Sequence, residues 1–177
     1  MRIVVCVKHV PDMQSERRFE GGRLVRGEDD VLNELDENAI EAAVQLKETE
    51  EDAGREAEVV ALTMGPEDAE DSLMRALQMG ADRAFIVSDE FLEGSDVITT
   101  ASVLSVAIAK IAEECGPVDL VITGMASLDA MTSMLPAALA AKAHMPLLGL
   151  ARSLNVEDGV LTIERAVDGY TEIVRAA

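Results

Sequence analysis

Gly124 ends an apolar run (Val118, Leu120, Val121, Ile122) and opens a loop of small, sulfur and hydroxyl residues: Met125, Ala126, Ser127, Leu128, Asp129, Ala130, Met131, Thr132, Ser133 and Met134. Leu135 and a series of alanines up to Ala141 then supply helix formers. A strand that stops at a glycine and hands its chain to a helix start makes N–H groups converge, and open α/β sheets bind anions there. Between Met125 and Ala151 the sole acid is Asp129 and the sole lysine or arginine is Lys142. This stretch is therefore the candidate site. Asp129 is expected to order the loop by capping the helix that follows. Met125, Met131 and Met134 read first as fillers of core gaps and second as an adaptable surface for a flat ring or a partner.

Other chemistry is absent from the sequence. No phosphate loop ends in Gly-Lys-Ser/Thr, and there is no Gly-x-Gly-x-x-Gly, Gly-x-Ser-x-Gly or His-Glu-x-x-His. His9 and His144 have no metal-site spacing and read as surface residues. Cys6 falls in an apolar strand pattern and Cys115 at a helix end, so neither suggests a disulfide framework or a metal site. The balance of 15 basic against 34 acidic residues, net −19, argues against a nucleic-acid partner. Acid clusters such as Glu28 to Asp30, Glu48 to Asp52 and Glu67 to Asp71 read as solvated faces.

The elements that must position the loop follow from hydrophobic periodicity. Ile3 to Val7, Glu58 to Leu62 and Arg83 to Val87 are short strand patterns, the first of them apolar throughout as in a strand covered on both faces. Asn33 or Asp36 caps a helix to about Glu50, with Ala39, Ile40, Ala43, Val44 and Leu46 as its buried stripe. Pro66 opens a second helix and Gly80 ends it. Ser95 or Asp96 caps a third helix to about Glu114. Its stretch from Val97 to Ala112 holds one charge, Lys110. A membrane span needs about 20 apolar residues, so this helix reads as buried on more than one side. Arg18 to Val25 reads as a small polar hairpin on the Glu20-Gly21-Gly22 turn, and Glu157-Asp158-Gly159 and Asp168-Gly169 turn the strands near the end.

Together these predict an α/β fold: an open, mostly parallel, doubly wound Rossmann-like sheet with helices on both faces. The chain 1–177 reads as one domain, with 145–177 as a C-terminal β-hairpin extension. The run Ile3 to Val7 is too short for a signal peptide; the expectation is a cytoplasmic protein without direct membrane insertion. In such a sheet the strand ends Cys6-Val7-Lys8, Met64-Gly65-Pro66 and Thr123-Gly124-Met125 share one edge, beside the helix start at Asn33 to Asp36. That edge suits an adenine nucleotide held by backbone groups. Tight βα turns account for the same glycines equally well.

Several segments carry a resemblance: IVVCVKHVPD, LNELDENAIEAAVQLKE, VVALTMGPEDAEDSLMRALQMGADRAF, VDLVITGMASLD and ERAVDGYTEIV. Over essentially its whole length the chain resembles the β subunit of electron transfer flavoproteins. The resemblance implies an electron-transfer accessory subunit, not an enzyme by itself, in a heterodimer with an α subunit and sharing FAD with it. The complex takes electrons from dehydrogenases and passes them to a quinone oxidoreductase or similar acceptor. It further implies a structural AMP or, in a bifurcating branch, a second FAD. By position, the nucleotide contacts fall to Cys6, Asn33, Glu34, Leu35, Asp36, Met64 and every residue from Gly124 to Leu135. Met13 falls near the flavin ring.

Departures from the family pattern fall within the loop itself. Met125 stands where the family has Lys, Ala126 and Met134 where it has Gln, Met131 where it has Asp, and Pro136 where it has Gly. Backbone groups and the hydroxyls of Ser127, Thr132 and Ser133 are left to make the grip. Family members also continue beyond the position of Ala177, with a loop that docks on dehydrogenases and an arm around the α subunit. A fragment or a shortened member is the expectation. A stand-alone adenine-nucleotide module of the stress-protein type is the alternative, and an α/β scaffold with an empty crevice is a third.

Overall fold

The computed structural model describes every residue from Met1 to Ala177. The chain runs through β1 (Arg2–Cys6), β2 (His9–Pro11), β3 (Phe19–Glu20), β4 (Arg23–Leu24), β5 (Asp30–Leu32) and α1 (Glu34–Asp52). Next come β6 (Glu58–Met64), α2 (Glu70–Gln78), β7 (Arg83–Val87), α3 (Val97–Cys115), β8 (Leu120–Thr123) and α4 (Leu135–Ala143). The last elements are β9 (Ser153–Glu157), β10 (Val160–Val167) and β11 (Tyr170–Ala176).

Four strands form a parallel sheet in the order β7-β6-β1-β8. The chain steps outward from β1 to β6 and β7, and α3 then carries it back to the far side of β1. The order reverses between β1 and β8, and that junction is where a doubly wound sheet opens a crevice. Strand alternation divides the core in two. Ile3, Val5, Val59 and Ala61 pack with Ile40, Ala43 and Leu46 of α1 and Leu73 of α2. Val4, Cys6, Val60 and Leu62 pack with Leu104, Ile108 and Ile111 of α3 and Leu139 of α4. At about 1.5–3 kcal/mol for each large side chain buried, a one-residue register slip would exchange the two sets across the sheet. The doubly wound fold predicted from sequence is therefore the observed one.

Smaller sheets dress this framework. β2 and β5 pair antiparallel, from His9↔Leu32 to Pro11↔Asp30, a clip not predicted from sequence. The β3–β4 hairpin forms where Gly21-Gly22 predicts it. The order β11-β10-β9 makes a three-stranded antiparallel sheet from the C-terminal segment, and Leu154 and Val156 of β9 join the α1 side of the core.

α3 is covered on two sides, as its sequence predicts: Ala101, Leu104, Ile108 and Ile111 are buried against the sheet and α4, while Ile98 and Val106 are exposed. Its open flank and the edge strand β7 line a groove of about 520 Å³ containing Phe85, Val87, Val103 and Val106. No helix is long and apolar enough to cross a membrane.

Candidate functional site

At the β1–β8 junction the backbone N–H of Lys8 donates to Asp36 Oδ2 at 2.8 Å. The N–H of Gly124 donates to the same carboxylate. One side chain from the first turn of α1 thus ties together two strand ends. Asp36 is 5% exposed, and burial pushes its carboxyl up to about 6 against the pull of those N–H groups, Asn33 and the Lys8 charge. The strand-end N–H groups that would attract an anion here already hold a carboxylate.

Gly124 makes that contact possible. A Cβ at this position would lie 2.2 Å from Asp36 Oδ1 and 3.0 Å from the carbonyl oxygen of Leu35. Only a residue without a side chain allows α1 to sit this close to the end of β8.

Asn33 immediately precedes α1, but its side chain does not cap the helix as its residue type predicts. It is fully buried; Nδ2 donates to the Ala126 carbonyl at 3.0 Å and Oδ1 accepts the Leu128 N–H at 3.1 Å. That side chain behaves as a missing strand partner for the loop, satisfying backbone groups that burial would otherwise strand.

Asp129 has a different role from the predicted cap. α4 has no side-chain cap, and Asp129 instead receives Lys8 Nζ at 2.9 and 3.0 Å together with the Arg26 guanidinium. Its side chain is 1% exposed. Burial alone would raise its carboxyl, but the hydrogen bonds from Arg26, Lys8 and Ser127 outweigh burial and hold it well below the usual carboxylate range. Arg17 Nη2 adds a bond to the Leu128 carbonyl at 3.2 Å.

Beyond Asp129 the loop turns outward. The N–H groups of Ala130 and Met131 both donate to the Ser127 carbonyl, and Met131 and Ser133 adopt φ of 53° and 50°. Left-handed backbone at non-glycine residues costs about 1 kcal/mol or more each and tends to cluster at ligand sites. The N–H groups of Thr132, Ser133 and Met134 have no acceptor within the chain. Met125, Met131 and Met134 are 53%, 60% and 51% exposed, which overturns their reading as core filler.

The structure brings Asn33, Asp36, Gly124, Ala126, Ser127, Leu128 and Asp129 into one bonded cluster, with Cys6 buried beside Asp36. Leu35 meets the loop through its carbonyl. Met64 ends β6, the strand next to β1. Glu34 is exposed on the first turn of α1, and Leu135 begins α4. Met13 is 55% exposed on the loop after β2. Burial and the Asp36 charge push the Cys6 thiol up to about 12, so it stays protonated and serves no thiolate chemistry.

His9 also departs from its surface reading. It is 9% exposed, and its Nδ1 meets Ser72 Oγ of α2 at 2.8 Å. His144 is exposed, as expected. Sequence reasoning puts Lys8 at the strand-end edge without giving its side chain a partner, and it passes over Arg17 and Arg26. The signal available was position: Arg2, Lys8, Arg17, Arg18, Arg23 and Arg26 put six of the 15 bases in the first 26 residues of an acidic chain.

Such a sheet, with its switch-point loop clasped by the start of α1, defines a doubly wound α/β domain of the nucleotide-binding architecture. Residues 22–177 match the family model described as "Electron transfer flavoprotein domain". The chain belongs to the electron transfer flavoprotein family. It is 39% identical over 169 residues to the electron transfer flavoprotein subunit beta of Mycobacterium leprae (strain TN), covering 94% of this chain and 62% of that protein. The subunit beta of Megasphaera elsdenii is 35% identical over 176 residues, covering 96% of this chain and 63% of the relative. The Caffeyl-CoA reductase-Etf complex subunit CarD of Acetobacterium woodii is 35% identical over 176 residues, covering 98% and 64%. The chain thus spans under two thirds of the length of these curated relatives.

Proposed function

We infer that this chain is the nucleotide-binding part of an electron transfer flavoprotein β subunit, an accessory to flavin electron transfer and not an enzyme by itself. The observation that carries the reading is the clasp of Asn33 and Asp36, which fixes the Gly124–Leu135 loop to the switch point of the sheet. FAD, when bound together with an α subunit, supplies the redox chemistry; the protein supplies position and surroundings. No acid, base or nucleophile is required of this chain, and the protonated Cys6 fits that division of labour.

The residues present suit an adenine nucleotide, AMP or a second FAD. Unengaged N–H groups at Thr132, Ser133 and Met134, with the hydroxyls of Thr132 and Ser133, supply donors along the outer loop. Asp36 already occupies the inner strand ends, so an anionic group would be repelled there and drawn outward. Met125, Met131 and Met134 offer soft apolar surface to a flat ring or to the α subunit. Dehydrogenases as donors, a quinone oxidoreductase or similar acceptor, and a cytoplasmic setting complete the proposal.

Co-expression with a candidate α subunit tests it. A yellow complex that releases AMP or FAD on denaturation is expected. Colourless, unassociated chains that release no adenylate would overturn the reading.

A further inference from the structure

Four arginines lie between residues 17 and 26. Arg18 and Arg23 are spent on the carboxylates of Glu28 and Glu93. Arg17 and Arg26 instead reach the candidate loop, Arg17 through Nη2 to the Leu128 carbonyl at 3.2 Å and Arg26 through Nη2 to Asp129. Their anchor is buried but they are not: the Asp129 side chain is 1% exposed against 37% for Arg26, and Arg17 is exposed.

Donor bookkeeping separates these two from Lys8. Lys8 Nζ meets Asp129 Oδ1, Asp129 Oδ2 and Ser127 Oγ, one for each of its three donors, so it braces the loop with nothing to spare. Arg17 makes one bond, and Arg26 makes a long one to the His9 carbonyl besides its pair with Asp129. The Nε–H of both arginines and Nη1 of Arg17 have no acceptor in the chain. Lys8, Arg17 and Arg26 thus set three cations beside the carboxylates of Asp36 and Asp129 in a chain of −19. Planar guanidinium groups with free forked donors recognise oxyanions, phosphate above all.

We propose that Arg17 and Arg26, anchored on the Leu128 carbonyl and on buried Asp129, form a two-arginine clamp for the phosphate of the nucleotide that lies along Gly124–Leu135. The clamp rests on the nucleotide reading above and adds to it a side-chain subsite contributed from outside the loop. Asp36 at the inner strand ends and the arginines at the rim give the crevice a polarity, directing the phosphate away from the β1–β8 junction and toward the β3–β4 hairpin.

The test is titration calorimetry on the full chain, refolded from denaturant to strip resident nucleotide, with AMP and adenosine as probes. The unmodified chain should bind AMP about tenfold or more tighter than adenosine. Arg17→Gln, which leaves the Asp129 pair intact, should weaken AMP about tenfold and leave adenosine within about twofold. Arg26→Gln should do the same or more, and Arg26→Lys should recover part of the loss. Equal losses for AMP and adenosine would assign the arginines to loop shape alone and overturn the clamp, as would AMP binding that neither glutamine variant changes. An unmodified chain that binds both probes alike overturns the clamp and leaves the crevice standing. Binding of neither overturns the crevice reading itself.

Discussion

Replacing Gly124 with alanine tests whether the close approach of α1 to β8 holds the site together. The added methyl carbon would stand 2.2 Å from Asp36 Oδ1 and 3.0 Å from the Leu35 carbonyl oxygen. Carbon–oxygen contacts settle at about 3.3 Å or more, so the carboxylate must retreat by about 1 Å. It has little freedom to do so: its other oxygen holds the Lys8 N–H at 2.8 Å, and the Leu35 carbonyl is backbone at the helix start. Displacement weakens two N–H bonds to a charged acceptor, each worth about 1.5–3 kcal/mol. The expected loss is about 3–5 kcal/mol, a large share of the about 5–15 kcal/mol that stabilises a typical domain. Urea unfolding followed by circular dichroism measures it, with Gly149→Ala as the control because nothing lies within 4 Å of a Cβ there. Gly124 lacks a left-handed φ, so backbone strain does not contribute to the outcome. A Gly124→Ala chain within about 1 kcal/mol of its control, against the about 1–3 kcal/mol usual for overpacking, would refute the argument.

Other perturbations probe the same cluster. Asn33→Asp puts a carboxylate oxygen against the Ala126 carbonyl and a second charge beside Asp36; a loss of about 3 kcal/mol or more is expected in the urea midpoint, and a neutral result would contradict the buried geometry. Asp36 carries a folded pKa of about 6 against an ordinary 3.8, so the fold favours its protonated form. Its contribution to stability is greatest below 3.8 and declines as pH rises to about 6, by about 3 kcal/mol in all. Asp36→Asn should remove that decline, and parallel pH profiles for the two chains would exclude it. Asp129→Ala frees Lys8 and Arg26, which at 40% and 37% exposure are solvated easily, so the global cost should stay near about 1 kcal/mol. Limited proteolysis between Ala130 and Met134 should nevertheless accelerate several-fold, and unchanged cleavage would remove Asp129 from loop ordering.

The frame was legible in the sequence because it rests on periodicity. Uninterrupted apolar runs such as Ile3 to Val7 have few alternatives to a strand covered on both faces, and the glycines at 80 and 124 mark chain reversals that only backbone freedom or close approach explains. The position of the loop was legible for the same reason. Side-chain assignments inside it were not. Residue type suggests that Asn33 and Asp129 cap helices, yet tertiary partners outbid the local option: Leu128 and Ala126 claim Asn33, and Lys8 and Arg26 claim Asp129. Those partners lie far along the chain, where no periodicity connects them. Methionine is equally uninformative by type, since a flexible thioether fills a core or lines a surface with similar ease.

The clasp at the switch point joins some of the most distant parts of the chain. Lys8 and Asp36 are separated by 28 residues, Asn33 and Ala126 by 93, and Lys8 and Asp129 by 121. Contacts between residues so far apart repay the entropy of loop closure only after the intervening elements have condensed. β1, β6 and β7 can assemble from neighbouring units, but the Asp36 bridge to Gly124 must wait until α3 has crossed the sheet and β8 has docked. Contact separation therefore predicts that the loop acquires its shape only after β8 has docked. A chain stalled before β8 docks would carry most of its secondary structure and no competent crevice, so formation of the site reports that the whole parallel sheet is in place.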